Sequence, residues 1–566
     1  MRDAPSTTRR LIEHFFRRFF DNDTVQVDGD TLTTVVRAIS AVAAPGLMFA
    51  FFLQTHYPGR SVWGTIEDQY FFVMFSFVTM GAVTTFSGEM LFPDRIDFLV
   101  LSPLPLKPLQ TLTAKGCALI GFLLLFLFGS NVFGTLLYPA VARGNLLRHL
   151  YAHGVAVTLA GVFAAAGVLA VNGLLLCVLD QARFRVASPI VQMVSMAAFL
   201  LMLLHYVRYG DRMQLLFPYP LGPAGWVPPF WFLGLYQRLL NGDAAPAFTQ
   251  ALARRAELGT LAACIVAVAT YPLAWARMRR GVLEGAPQKA RIAPRSLTWI
   301  THHIVRRPAG RAVFYLIGQT IRRNTRYQMY LAVYGGAGLA LATACAVVLR
   351  LGGSTTQLGL SIYGMHAMLP LLLFWFVAGV RTAFAFPLEL KASWVFRITA
   401  ADQEACAAAA RTWALLGALA LTCAIAFVCK MGGFHSRQLI VQVVCGICLS
   451  VLLTDAFFFR PNIPFTRPRL PGKGNFPLML TLYVGALTPF IYAVLYLEHS
   501  LEERLTRVLI LGLITAIVHA SLRRAQNSPM EIEEQMEGYE GEFQLLGLSQ
   551  PDSSSRALEH SSQVGP

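Results

Sequence analysis

Long apolar runs leave this chain few structural options. About twelve of them, each close to 20 residues long, alternate with charged or proline-containing segments. A segment of this kind in a bilayer must satisfy its backbone hydrogen bonds internally, so it forms a helix. The sequence therefore predicts an all-α integral membrane protein with about 12 transmembrane helices. We place these spans at 34–54, 69–88, 116–138, 153–179, 188–206, 257–278, 329–350, 362–386, 411–430, 438–458, 477–497 and 505–522.

The charged residues support this interpretation and set an orientation. They make up 14% of the chain, whereas soluble domains contain about 25%. Most of the 47 Lys and Arg residues lie in alternate loops, and loops rich in these residues face the cytoplasm. This arrangement places both termini in the cytoplasm. It also explains the net charge of +16 through membrane topology, so no nucleic-acid partner is expected.

The predicted spans divide into two similar sets of six. An amphipathic segment precedes each set, at 8–20 and at 311–326, and such helices lie in the headgroup plane. In each set a long charged loop follows the second span, and the fourth span ends in Asp-x4-Arg, at Asp180 and at Asp455. Because six is even, the two six-helix repeats run parallel, as in many transporters. The predicted domains are a first half at 1–285, a second half at 286–525 and a disordered acidic, Ser-rich cytoplasmic tail at 526–566.

The loops between the second and third spans of each half are the main candidates for a functional site. A loop that only connects two helices needs a few polar residues, whereas these loops contain apolar side chains among charges. Prolines in the first loop also stiffen the chain. We expect both loops to dock a cytoplasmic partner; the alternative is that they merely cover the inner mouth. The candidate docking residues are Asp94, Arg95, Asp97, Phe98, Leu101, Leu104 and Lys107 in the first loop, and Lys391, Trp394, Phe396 and Arg397 in the second. The charged residues of the first loop are expected at the rim of the contact, where they set orientation and specificity.

Further charged residues lie near the cytoplasmic ends of the predicted spans: Arg37, Glu89, Asp180, Arg381 and Asp455. A charge at the centre of a span costs about 2.5–3.5 kcal/mol, and snorkelling near an end lowers this cost. We expect these residues to form salt bridges between helices or to gate the cytoplasmic mouth. No Asp or Glu lies at a predicted span midpoint, which argues against a proton- or sodium-coupled carrier.

No catalytic, nucleotide-binding or metal-binding pattern stands out. The chain lacks G-x-x-x-x-G-K-[ST], the loop with which many ATPases hold the phosphates of ATP. His302 and His303 have no Cys or Glu at ligand spacing. Cys445 and Cys448 lie inside a predicted span without a second pair, and His366 is a candidate for lining a path. We therefore expect this chain to be no enzyme and to bind no metal or cofactor.

The order of the elements resembles that of a known transporter family. The first half contains an in-plane helix at 8–20, a charged loop at 89–115 and an outer segment rich in Pro and aromatic residues at 215–240. Permease subunits of ABC transporters of the type-2 exporter class share this order, and the resemblance covers nearly the whole chain. The second half departs from it, because its loop lacks Pro-Leu-Pro and the outer element is missing. The segments that are similar to parts of bacterial fused permeases of this kind are 98–105, 229–232 and 463–473.

The resemblance implies a function for the whole chain. It implies the transmembrane subunit of an ATP-driven exporter in the bacterial cytoplasmic (inner) membrane, with two fused halves around a path for an unidentified substrate. A separate cytoplasmic ABC ATPase would bind ATP and Mg and dock mainly on the first loop. Two other classes stay open: a secondary active transporter with a duplicated six-helix core, and a non-transporting membrane scaffold or membrane-embedded enzyme. The acidic tail is either a solvated chain or a binding segment.

Overall fold

The computed structural model of this protein is almost entirely helical. It describes residues 7–20, 31–57, 59–87, 97, 100–101, 103–142, 144–217, 223–283, 302–352, 355–385, 403–459, 464–465, 476–504 and 506–526. The helices are α1 (Thr7–Phe20), α2 (Thr31–Gln54), α3 (Val62–Phe86), α4 (Pro108–Val141), α5 (Leu146–Val178), α6 (Gln181–Tyr209), α7 (Met213–Leu216), α8 (Pro223–Trp226), α9 (Pro228–Asn241), α10 (Ala247–Leu283), α11 (Pro308–Arg323), α12 (Thr325–Ala346), α13 (Ile362–Ala385), α14 (Gln403–Met431), α15 (Ser436–Phe457), α16 (Phe476–Glu503) and α17 (Thr506–Gln526). Two antiparallel strands, β1 (Val347–Gly352) and β2 (Thr355–Leu360), form a hairpin.

Helices α2–α6, α10 and α12–α17 are long and apolar enough to cross a membrane. These 12 helices confirm the prediction of an all-α membrane protein. Most of them extend beyond the predicted apolar runs; α10, for example, covers Ala247–Leu283 where the predicted span is 257–278. A helix continues past its apolar stretch because polar residues at its ends form the same backbone hydrogen bonds.

Two of these differences at span ends change the interpretation of the chain. The seventh span ends at Ala346 rather than at 350, and Val347 begins strand β1. The β-branched residues Val347 and Val348 favour an extended chain. The eleventh span continues through Glu503 rather than ending at 497, so Glu498 lies inside a helix and not in a loop.

The first half is built around α3, α4 and α5. The amphipathic helix α1 lies on α4, where Phe19 stacks on Phe122 with ring centroids 4.8 Å apart. α3 packs on α5 and α6, and α5 packs on α10. The outer segment rich in Pro and aromatic residues contains α9, which packs against α3, α5 and α10 and buries Phe232 and Leu233. Interhelical hydrogen bonds reinforce this core: Asn131 of α4 donates to Ser76 of α3 at 2.9 Å.

The second half uses corresponding pairs of helices. α11 lies on α14 as α1 lies on α4, and both α11 and α1 bury one apolar face. α13 packs on α15 and α16, and α15 packs on α17. The halves differ in the position of their first span, because α12 packs along α13 whereas α2 packs mainly along α4.

The halves meet along α6 and α12, which run parallel. Met193 of α6 lies against Gly335 and Gly336, and the Arg208 guanidinium donates to the Ala344 carbonyl oxygen at 3.0 Å. The starts of both helices therefore lie at the same end of the bundle. We call it the basic end, because it carries α1, α11 and the arginine-rich end of α10. The opposite end, with α9 and the β1–β2 strands, is the hairpin end.

Candidate functional site

A buried carboxylate connects the first loop to two helices at the basic end. Asp97 is 5% exposed and accepts a hydrogen bond from Lys115 Nζ at 2.7 Å and another from the Arg18 guanidinium. Lys115 lies on α4 and is also buried, with its ammonium nitrogen 5.5 Å from the centroid of the Phe15 ring of α1. The sequence predicts Asp97 at an exposed rim, but the structure buries it because two cations neutralise it there. Asp97 thus joins the loop, the amphipathic helix and the third span.

The second half repeats part of this arrangement. Arg411 lies on α14 six residues before a glycine, as Lys115 does on α4, and it is also buried. At the same end, Asp455 of α15 is buried, and its Oδ2 atom lies 2.5 Å from Nδ1 of His519 on α17. Arg411 is within electrostatic range of Arg523, which repels it, and of Asp455 and Glu404, which attract it. In each half, the third span therefore contains a buried cation and packs against the amphipathic helix.

The other docking candidates have different surroundings. Leu104 is 48% exposed and Lys107 is exposed just before α4, so both are accessible to a partner. Leu101 is half-buried against the core of the first half. The remaining candidates lie outside the described residues, and their role stays a prediction: Asp94, Arg95, Phe98, Lys391, Trp394, Phe396 and Arg397.

The predicted charges at the cytoplasmic mouth also differ from one another. Asp180 is exposed just before α6, and its Oδ1 atom lies 3.5 Å from Nε of Arg183, one helical turn along the chain. Asp455, its counterpart in the repeated Asp-x4-Arg motif, is buried, so the motif does not produce equivalent sites. Arg381 is half-buried near the end of α13 and Arg37 is exposed on α2, while Glu89 lies outside the part of the chain that is described.

The hairpin end of the first half contains a second buried ion pair. Asp68 of α3 is buried and accepts hydrogen bonds from Arg60 Nε at 3.1 Å, from Arg60 Nη2 at 2.8 Å and from the Tyr57 hydroxyl at 3.0 Å. Arg60 also pairs with Glu67 at 3.3 Å. The hydrogen bond with Asp68 raises the pKa of Arg60 above its ordinary value, so this cation keeps its charge. The network fixes the turn between α2 and α3.

The hairpin end of the second half holds an imidazole between two carboxylates. The Nδ1 atom of His366 on α13 lies 3.4 Å from Oε2 of Glu498, and its Nε2 atom lies 3.7 Å from Oε1 of Glu502. Glu498 is 1% exposed, and apart from this contact with His366 neither of its carboxylate oxygens has a hydrogen-bond partner within the described residues. The Phe434 ring covers the imidazole with centroids 4.6 Å apart. The net charge of this cluster therefore depends on how many protons it holds.

Sequence reasoning considered His366 but missed Glu498, Glu502 and Asp68. The signal for the glutamates was their spacing of four residues, which places both on one face of a helix if the helix continues past 497. Asp68 was missed because the predicted span begins at 69, whereas the helix begins at Val62. Among the described residues, no group of three or more His, Cys, Asp or Glu side chains is arranged to hold a metal ion.

No protein-family model, no curated protein and no solved structure matches this chain.

Proposed function

We propose that this chain is the transmembrane subunit of an ATP-driven exporter of the ABC type. The observation that carries the proposal is the repeated construction of the basic end, where an amphipathic helix lies on the third span of each half and that span contains a buried cation. Two corresponding mechanical inputs at one end of a two-half bundle suit a pair of closing ATPase subunits, with the first loop as the main docking site. In this proposal the separate cytoplasmic ATPase binds ATP and Mg, and the membrane chain contributes the path for the exported substrate.

Asp97 is proposed to transmit force from the first loop. A push on that loop reaches α1 through Arg18 and α4 through Lys115, because both cations are bound to the same buried carboxylate. The two halves then rock against each other, a motion common among transporters built from repeats. Their contact along α6 and α12 includes Gly335 and Gly336, whose lack of a side chain permits close approach.

The orientation of the chain follows from its arginines. The exposed arginines of α1 and α11 lie at the basic end, and segments rich in Lys and Arg remain in the cytoplasm. We therefore propose that the basic end and both termini face the cytoplasm of a bacterium. The second partner is the lipid bilayer, whose anionic headgroups attract cations at this level.

The purified chain alone is expected neither to bind nor to hydrolyse ATP. The reason is that its sequence lacks a glycine-rich loop for the phosphates. Binding of a fluorescent ATP analogue and release of phosphate are the measurements. As a control, the same assay is run after adding the proposed partner ATPase, to be identified by a Walker A motif in a neighbouring reading frame, and this addition should produce turnover. Turnover by the isolated chain would contradict the division of labour proposed here.

Leu104→Asp is expected to reduce co-purification of this ATPase by at least about tenfold, which corresponds to about 1.4 kcal/mol of binding free energy. The introduced carboxylate would lose its water in the contact, and an unpaired buried charge is unfavourable. Leu104 suits the test because it is exposed, whereas a charge at Leu101 would disturb the core. Tyr363→Asp, an exposed position at the hairpin end, is the control and should retain the partner. If the double variant with Leu104→Asp and Phe98→Asp still co-purifies with the ATPase at the wild-type level, the first loop is not the docking site.

A proton-coupled secondary active transporter with a duplicated six-helix core is the second candidate, and Glu498 is the observation that favours it. A buried carboxylate inside a candidate span often belongs to an ion pathway. Liposomes that contain only this chain separate the two candidates. Substrate movement that follows an imposed proton gradient without any ATPase would favour the secondary transporter.

A further inference from the structure

We propose that His366, Glu498 and Glu502 form a proton-binding site at the hairpin end of the second half. The site exchanges one proton between the protein surface and the buried carboxylate of Glu498. This inference does not depend on the energy source of the protein, because it concerns only groups on α13 and α16.

The charge of the cluster favours an exchangeable proton. An ionised carboxylate that is buried without donors is strongly unfavourable, so it becomes neutral or pairs with a cation. The His366 imidazolium supplies a single positive charge, but both Glu498 and Glu502 lie against its ring. The count starts from a neutral His366 and two ionised carboxylates. One added proton leaves the three groups with a net negative charge, and a second added proton makes them neutral. The second proton is the one that exchanges.

The three side chains provide a path for that proton. The Glu498 side chain is 2% exposed, whereas the Glu502 side chain is 23% exposed and reaches the surface. Glu502 faces Nε2 of the imidazole and Glu498 faces Nδ1. A proton taken up by Glu502 can therefore be bound at Nε2 while the Nδ1 proton is given to Glu498, since either imidazole nitrogen can hold a proton. The imidazole thus connects the buried carboxylate to the surface.

The surroundings supply no fixed cation to Glu498 in the described part of the chain. Cys429 from α14 and Cys445 from α15 lie within electrostatic range of it, and Gln442 of α15 donates its Nε2 proton to the Cys429 sulfur at 3.4 Å. His499 and Arg507 pair with the exposed Glu503 instead, and Arg437 donates to the Glu503 backbone carbonyl. The exchangeable proton is thus the charge that neutralises the cluster.

Infrared difference spectroscopy tests the site on the full chain in lipid nanodiscs, titrated between about pH 5 and about pH 8, where imidazole titrates. The expected result is a carbonyl stretch of a buried carboxylic acid that disappears as the pH rises. Glu498→Gln, which resembles the protonated side chain in size, should remove this band. Glu503→Gln is the matched control, because it removes an exposed carboxylate of the same helix and should keep the band.

A wild-type protein without the band, or a band that survives in folded Glu498→Gln, would overturn the proposal. If Glu498→Gln does not fold, His366→Gln decides: losing the imidazole should raise the midpoint of the band by at least about one pH unit, a tenfold change in proton affinity. An unchanged midpoint in that variant contradicts the site. A midpoint that falls when sodium replaces potassium identifies a sodium site, and this result also overturns the proposal.

Discussion

Asp97→Ala is expected to lower the free energy of unfolding by about 3–5 kcal/mol, the cost of removing one partner from a buried ion pair. Without the carboxylate, the Lys115 ammonium remains buried between α1 and α4, with 6% of its side chain exposed, and has lost its ion pair with Asp97. Arg18 is less affected, because 37% of its side chain is exposed and can turn toward water. The measurement is denaturant-induced unfolding of the purified protein in mixed micelles, followed by tryptophan fluorescence.

The matched variants separate an ion pair from a generally sensitive position. Asp97→Leu combined with Lys115→Met removes both charges and should recover most of the stability, since apolar replacement of a buried pair is often neutral. Glu257→Ala breaks the exposed pair with Arg238 and should cost less than about 1 kcal/mol. If Asp97→Ala unfolds like the wild type and only loses the partner ATPase, Asp97 is a docking residue at the rim, as the sequence alone suggests.

The spans were predictable because apolar content is a local property of the sequence. A helix in a membrane must be about 20 residues long and apolar, so α2 or α13 can be found without knowing its neighbours. The ends of helices were less predictable, because an apolar run stops at the first charged residue while the helix continues. Glu498 shows the consequence: it follows the predicted span directly, yet α16 continues and directs this side chain toward His366.

The ion pairs at the basic end could not be predicted, because they depend on contacts between residues that are distant in the sequence. The charges of 94–107 predict a polar loop, but they do not reveal which charge faces inward. Asp97 is buried because Arg18, 79 residues earlier, and Lys115, 18 residues later, converge on it. The correspondence between Lys115 and Arg411 was visible in the sequence, since each of these residues precedes a glycine by six positions. The ion pairs themselves became visible only through the packing of α1 on α4 and of α15 on α17.

Gly364→Ala is expected to cost about 3 kcal/mol of unfolding free energy, at the upper end of the range for overpacking. Gly364 lies in the first turn of α13, where a Cβ atom would overlap the backbone carbonyl of Cys345 and lie 2.9 Å from Cα of Ala346. A backbone group cannot rotate away as a side chain can, so α12 and α13 must separate. In lipid this separation is costly, because helices associate through close packing rather than through a hydrophobic driving force.

Gly167→Ala is the matched control for this prediction. A Cβ atom at Gly167 of α5 meets nothing within 4 Å, and alanine favours a helix over glycine by about 0.8–1.0 kcal/mol. The control should therefore be as stable as the wild type or slightly more stable in the same micelle assay. Each variant adds one methyl group to one helix. A difference between their free energies of unfolding therefore reports the contact of α12 with α13. Equal stability of the two variants would show that the end of α12 moves aside without cost, and the close packing inferred at Gly364 would be wrong.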